Sequence, residues 1–131
     1  MSTEYYSLTI MTLFFLFAWA PVSLGKVKGY GFKYLASNRG RVPQTELPSW
    51  AARCDRAYNN LKDYFPAFIV AILILGALNK FDNSTATAAV IYTVARILHY
   101  ICYGIGFVPG RFLFFVAGLL ANTYLLLKIC F

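Results

Sequence analysis

Four polar side chains recur at helical spacing near the middle of the chain. Arg53, Arg56, Asn60 and Asp63 are separated by three, four and three residues, and side chains at such spacings share one stripe of an α-helix. An apolar run from Tyr64 to Asn79 follows directly. The pattern predicts a polar stripe at the point where a helix enters a membrane.

A second polar stripe lies inside a later apolar segment. Arg96, His99 and Tyr103 are spaced by three and four residues, and Arg111 follows the tight turn at residues 108–110. Ionisable groups within a span are costly and usually face protein or a cavity. Both stripes are predicted to face one cleft in the same half of the bilayer. A cleft with mostly positive charge and one carboxylate suits a small anionic ligand that carries an amine.

Simpler roles account for some of these residues taken singly. Arg53, Arg56 and Arg111 can extend to lipid phosphates. Arg96 lies near the middle of its span, where its cheapest partner is Asp63 in a buried ion pair that joins two helices. This structural pair and direct ligand contact both stay open, and only the joint pattern indicates a site.

Metal or redox chemistry has no support in the sequence. The cysteines Cys54, Cys102 and Cys130 form no CxxC pair, and His99 is the single histidine. These residues lack the spacing of zinc or haem sites. No metal is expected, and the cysteines are interpreted as small apolar filler.

Four apolar segments would position the stripes. They cover about residues 5–24, 61–79, 85–107 and 111–130, and about 20 helical residues cross a hydrocarbon core of roughly 30 Å. The second helix is expected to begin near Pro48 and Ser49, before its apolar part. The first segment could instead be a signal peptide, but its start carries Glu4 and no Lys or Arg, which favours a span.

The composition agrees with a membrane protein. The chain is 60% hydrophobic and 13% charged, whereas soluble domains carry about 25% charged residues. A chain of 131 residues has room for one domain. The sequence therefore predicts an all-α, integral membrane four-helix bundle over residues 1–131.

Basic residues predict the orientation. Most of them fall in or near the first loop, residues 25–60, and the opposite side holds only Lys80 and Lys128. The positive-inside rule then places this loop in the cytoplasm and both termini outside or in a lumen. The membrane would be the endoplasmic reticulum or another endomembrane in a eukaryote, and the inner membrane in a bacterium. The net charge of +7 is therefore interpreted as basic residues that lie next to the membrane surface, and no nucleic acid partner is expected.

Two motifs resemble one protein family. Residues 56–63, RAYNNLKD, resemble the R-A-x-x-N-x-x-E signature of the MAPEG family, the membrane-associated proteins in eicosanoid and glutathione metabolism, with Asp63 in place of glutamate. Residues 96–103, RILHYICY, are similar to the family's R-x-x-H-x-x-x-Y segment. Arg111 falls where members carry an arginine that opens the fourth helix. The resemblance covers nearly the whole chain. Within the family, the chain is most similar to the broad, microsomal glutathione transferase-like branch.

The resemblance implies a homotrimer that binds glutathione, as co-substrate, on the cytoplasmic side between subunits. It implies glutathione-binding roles for Arg53, Arg56, Asn60, Asp63, His99, Tyr103 and Arg111. It also implies catalytic roles for two of these residues. Arg111 would stabilise the glutathione thiolate, since an adjacent guanidinium lowers the pKa of a thiol, and Tyr103 could donate a hydrogen bond to the sulfur.

The expected function is therefore a membrane-bound glutathione transferase or peroxidase. It would conjugate glutathione to lipophilic electrophiles, or reduce lipid peroxides, that enter from the bilayer. Whether the chain is catalytic stays open. The alternative is a non-catalytic MAPEG protein that binds lipid or presents it to a partner, and a purely structural bundle would bind no glutathione.

Overall fold

The chain forms six helices and no strands. The computed structural model describes residues 1–131. The helices are α1 (Thr3–Phe17), α2 (Ala20–Tyr30), α3 (Phe32–Leu35), α4 (Ser49–Ala77), α5 (Asn83–Ile105) and α6 (Val108–Cys130). Four segments are long and apolar enough to cross a bilayer, namely α1 with α2, α4, α5 and α6. The predicted all-α membrane bundle is confirmed, and the chain is a multi-pass membrane protein.

The first span is broken into two helices, where the sequence predicted one. Pro21 lies in the first turn of α2 and lacks the N–H group that would bond to Phe17 O, so the helix is interrupted there. The hydroxyl of Tyr100 on α5 donates to Ala18 O at 2.7 Å. This bond satisfies a carbonyl at the break, which lipid cannot do.

The basic loop is shorter than the predicted 25–60. α2 continues to Tyr30, and α4 begins at Ser49 as expected, so only Gly31, α3 and residues 36–48 connect them. Gly25 lies so close to Ala51 that an added Cβ would overlap its side chain. This close contact packs α2 against the first turn of α4, which extends both helices beyond their apolar segments.

Short turns make the last three helices antiparallel neighbours, as predicted. Asp82 caps α5 by accepting hydrogen bonds from the backbone N–H groups of Ser84 and Thr85, both at 2.8 Å. Gly106 ends α5 at φ +84°, in the left-handed region that glycine adopts readily. The end of α5, the start of α6 and the first half of α4 therefore lie at one end of the bundle, here called the polar end.

A buried stripe on α4 faces α5. Leu61, Phe65 and Phe68 are each at most 2% exposed, and the Phe68 ring stacks on Tyr92 of α5 with centroids 4.0 Å apart. Stacked aromatic pairs add to the stability gained from burying their area. Asn60 stands at the edge of this stripe, and the packing of α4 on α5 brings its side chain to the polar groups of α5.

Candidate functional site

A cavity of about 290 Å³ lies at the polar end between α4, α5 and α6. Its lining residues are Asn60, His99, Tyr103, Arg111, Phe112 and Phe115. The first four were predicted as site residues from the sequence. The fold therefore brings members of both polar stripes to one place.

Arg111 and Tyr103 form one wall of the cavity. The Arg111 guanidinium carbon lies 4.7 Å from the centroid of the Tyr103 ring, which is a cation–π contact. Gly110 permits this placement of the first turn of α6, because a Cβ there would lie 2.6 Å from the Phe107 ring and 2.8 Å from Cys102 Sγ. A fixed cation beside a phenol can stabilise an anion that develops nearby.

His99 joins α5 to the start of α6. Its Nδ1 lies 2.8 Å from the backbone oxygen of Arg111, and because a carbonyl only accepts, Nδ1 must carry the proton. The other ring nitrogen, Nε2, is buried and has no partner in the chain. In the neutral ring Nε2 is an acceptor, so His99 keeps one unpartnered acceptor beside the cavity that it lines.

Arg96 pairs with Asn60 and not with Asp63. Its Nη2 donates to Asn60 Oδ1 at 2.7 Å and to the Asn60 backbone oxygen at 3.3 Å. Asp63 is exposed and forms no ion pair with Arg96, so the predicted structural pair is wrong for this chain. Three residues correspond to about 300° of helical rotation, which turns Asp63 about 60° further from the buried stripe than Asn60.

The contact with Arg96 also fixes the amide of Asn60. Arg96 is only 2% exposed, and its guanidinium lies 5.5 Å from the Tyr64 ring centroid and 5.9 Å from that of Phe115. Guanidinium groups donate and never accept, so the Asn60 carbonyl must face Arg96. The Asn60 NH2 group is then left free to donate to a ligand in the cavity.

The remaining predicted residues lie outside the cavity. Arg53 Nε donates to Gly104 O at 2.9 Å, one of the last α5 carbonyls that lack a partner within the helix, so it caps α5. Arg56 and Asp63 are exposed on the outer side of α4. Within one chain, these three residues do not reach the cavity lining.

Four residues of α6 in or beside the site were not predicted, and the first of them, Phe112, lines the cavity. Phe115 lines the cavity and faces the His99 ring at 5.8 Å. Gly118 gives room to Arg96, and the side-chain oxygen of Asn122 is buried without a partner. The signal was present in the sequence, because residues 111, 115, 118 and 122 are spaced by four, three and four and share one helical stripe.

The fold and the cavity together define an integral membrane protein with a cavity between its spans that is lined in part by polar side chains. The family model of the MAPEG family matches residues 3–131, and the chain belongs to this family. No curated protein and no solved structure matches it. The family assignment supports a membrane protein of glutathione and eicosanoid metabolism.

Proposed function

We propose that the chain is a membrane-bound glutathione transferase or peroxidase. The observation that carries this proposal is the convergence of Asn60, His99, Tyr103 and Arg111 on one cavity. Membership in a family of glutathione metabolism supports glutathione as the co-substrate. Lipophilic electrophiles or lipid peroxides dissolved in the bilayer would reach this cavity from the side.

The polar groups of the cavity match the groups of a tripeptide thiol. The Asn60 NH2 suits a carboxylate or carbonyl, and His99 Nε2 suits an amine or amide N–H. The Arg111 cation and the Tyr103 hydroxyl suit a thiolate, whose parent thiol titrates near about 8.5 in water and becomes more acidic next to a guanidinium. The thiol proton would pass to solvent.

The thiolate is the nucleophile in both proposed reactions. In conjugation its sulfur forms a bond to an electrophilic carbon, and the leaving group departs with the bonding pair. In peroxide reduction the sulfur attacks one oxygen of the hydroperoxide, the O–O bond breaks, and the alcohol leaves after taking up a proton. A second glutathione then reduces the resulting sulfenic acid, which gives a disulfide and water.

A homotrimer is part of the proposal, because one chain supplies only part of a tripeptide site. The cavity of about 290 Å³ stands at the lower end of the roughly 300–1,000 Å³ of ligand pockets. Arg56 and Asp63 are exposed on the side of α4 next to Asn60. A neighbouring copy packed there would close the cavity and bring both residues, with Arg53 beside them, to the ligand. The polar end would face the cytoplasm, since it carries the basic loop.

Replacement of Arg111 tests the proposed catalysis. The variant Arg111→Ala should lose conjugation of a model aryl halide while it keeps the wild-type oligomeric state, measured by light scattering in detergent. Arg41→Ala is the matched control, because Arg41 is exposed in the loop between α3 and α4. Turnover by Arg111→Ala equal to that of Arg41→Ala would remove Arg111 from the mechanism.

A second candidate function is lipid binding without catalysis. A groove of about 610 Å³ between α5 and α6 has apolar walls that include Ile91 and Leu120. At its edge the Tyr124 hydroxyl donates to Ser84 Oγ at 2.7 Å. The occupant of this candidate is a lipid acyl chain, since the groove lies on membrane-spanning helices. Glutathione binding without any thiolate absorption, together with retained lipid, would favour this function over catalysis.

A further inference from the structure

Two residues with unpartnered buried polar atoms line a second, much smaller cavity behind the candidate site. Arg96 and Asn122 are 2% and 6% exposed, and Arg96 Nε and Asn122 Oδ1 have no hydrogen-bond partner in the chain. Both residues line a cavity of about 10 Å³, together with Tyr64, Tyr92 and Phe115. One atom can only donate and the other can only accept. One small molecule that both accepts and donates hydrogen bonds could therefore satisfy both residues from this cavity.

The size and the polarity of this cavity fit one water molecule. To hold a water, a cavity must offer about 10–15 Å³, the room of one water-sized sphere, and two to four polar partners. A single water can accept from Arg96 Nε and donate to Asn122 Oδ1. Such a bridge satisfies both buried atoms, each of which would otherwise keep the desolvation cost of an unpaired polar group.

We propose that Asn122 is a positioning residue for the glutathione site, and that it acts through one buried water and Arg96 on Asn60. The water would accept from Nε of the Arg96 guanidinium, while Nη2 of the same group donates to Asn60 Oδ1 at 2.7 Å. Asn60 lines the main cavity, so the relay fixes the direction in which its NH2 group donates. Asn122 itself lines the small cavity and not the main one. This inference rests on the proposed function only for its effect on glutathione.

The relay predicts a loss of affinity that depends on Asn60. Asn122→Leu removes the acceptor at similar size, and we expect glutathione affinity, measured by calorimetry, to fall about fivefold, the equivalent of one net hydrogen bond from the misdirected Asn60 NH2 group to glutathione. Asn122→Asp keeps an acceptor oxygen and should restore most of the affinity. Thr123→Val removes an exposed hydroxyl from the next position of α6 and should bind as wild type.

A double-mutant cycle separates positioning from general damage to α6. In an Asn60→Ala background, Asn122→Leu should cause no further loss, because the relay ends at Asn60. An equal loss in both backgrounds would overturn the relay.

A structure of the free wild-type protein at a resolution that shows waters tests the bridge without glutathione. Density within hydrogen-bonding distance of both Arg96 Nε and Asn122 Oδ1 is expected. An empty cavity, or a direct contact between the two side chains, would overturn the proposal. A wild-type protein that shows this density and binds no glutathione would contradict the proposed function and leave the water bridge standing.

Discussion

The pair formed by Arg96 and Asn60 gives a sharp prediction about stability. Asn60→Leu removes the acceptor of the 2.7 Å bond to Arg96, which is 2% exposed. The Asn60 backbone oxygen at 3.3 Å is then the one remaining acceptor for Arg96 Nη2 within the chain. Interhelical hydrogen bonds in membranes average about 0.6 kcal/mol and reach about 1.7. The charged donor and its burial place this pair at the upper end, so we expect a loss of about 1.5–2 kcal/mol, near the lower bound of about 1.5 for bonds to charged groups.

The assay is reversible unfolding in mixed micelles, followed by far-ultraviolet circular dichroism. Asn59→Leu is the matched control, because Asn59 is the exposed neighbour of Asn60 and surface substitutions stay within about 0.5 kcal/mol. The double variant Asn60→Leu with Arg96→Met should recover much of the loss, since replacing both partners by apolar groups is nearly neutral. Equal stabilities for Asn60→Leu and Asn59→Leu would refute the assigned pairing.

Two further predictions concern packing and acid stability. Gly118→Ala places a Cβ 2.9 Å from Arg96 Cδ and should destabilise the fold by about 1–3 kcal/mol through overpacking. The control variant Gly40→Ala, whose added Cβ meets nothing within 4 Å, should unfold as wild type. Equal unfolding curves for the two variants would contradict this packing. The hydrogen bond from the Lys128 ammonium, with those from the first turn of α5, holds the pKa of Asp82 well below its ordinary value. Because a depressed pKa stabilises the fold above the unfolded-state value of about 3.9, the stability difference between wild type and Asp82→Asn should be constant at neutral pH and shrink as the pH falls below about 4. A difference that is independent of pH in thermal unfolding would contradict this ion pair.

Much of the fold follows from the sequence because lipid permits few solutions. Apolar runs of membrane length must be helical, since every backbone polar group must be satisfied within the segment. The break at Pro21 was readable from its missing N–H group and was nevertheless missed, because the hydrophobic run continues across it. The extension of α4 to Ser49 was predicted from Pro48, but the close contact of Gly25 with Ala51 that shortens the loop is a tertiary feature.

The site was predicted in part, and the difference lies in helical rotation. Spacing placed Asn60 and Asp63 on one stripe, but it could not show where the buried face of α4 ends. That boundary falls beside Asn60, so Asn60 accepts the hydrogen bond from Arg96 while the side chain of Asp63 is exposed. Charge alone favours the carboxylate of Asp63 as the partner of Arg96, whereas the packing of Phe65 and Phe68 on α5 decides which side chain reaches Arg96.

The sequence alone could not show which residues of α6 lie at the site. Phe115 and Gly118 look like ordinary membrane-facing residues, and Asn122 is a single polar residue in an apolar segment. Their role depends on the antiparallel packing of α6 on α5, which places them opposite His99 and Arg96.

Glutathione titration of the purified protein, followed by the ultraviolet absorption of the thiolate, tests directly whether the cavity binds and ionises glutathione. We expect a saturable thiolate band below the pH at which free glutathione ionises, absent with S-methylglutathione and lost in Arg111→Ala. Saturable binding by calorimetry without that band would contradict thiolate stabilisation by Arg111 and Tyr103. No binding at all would contradict the assignment of the cavity lined by Asn60 and His99 to glutathione.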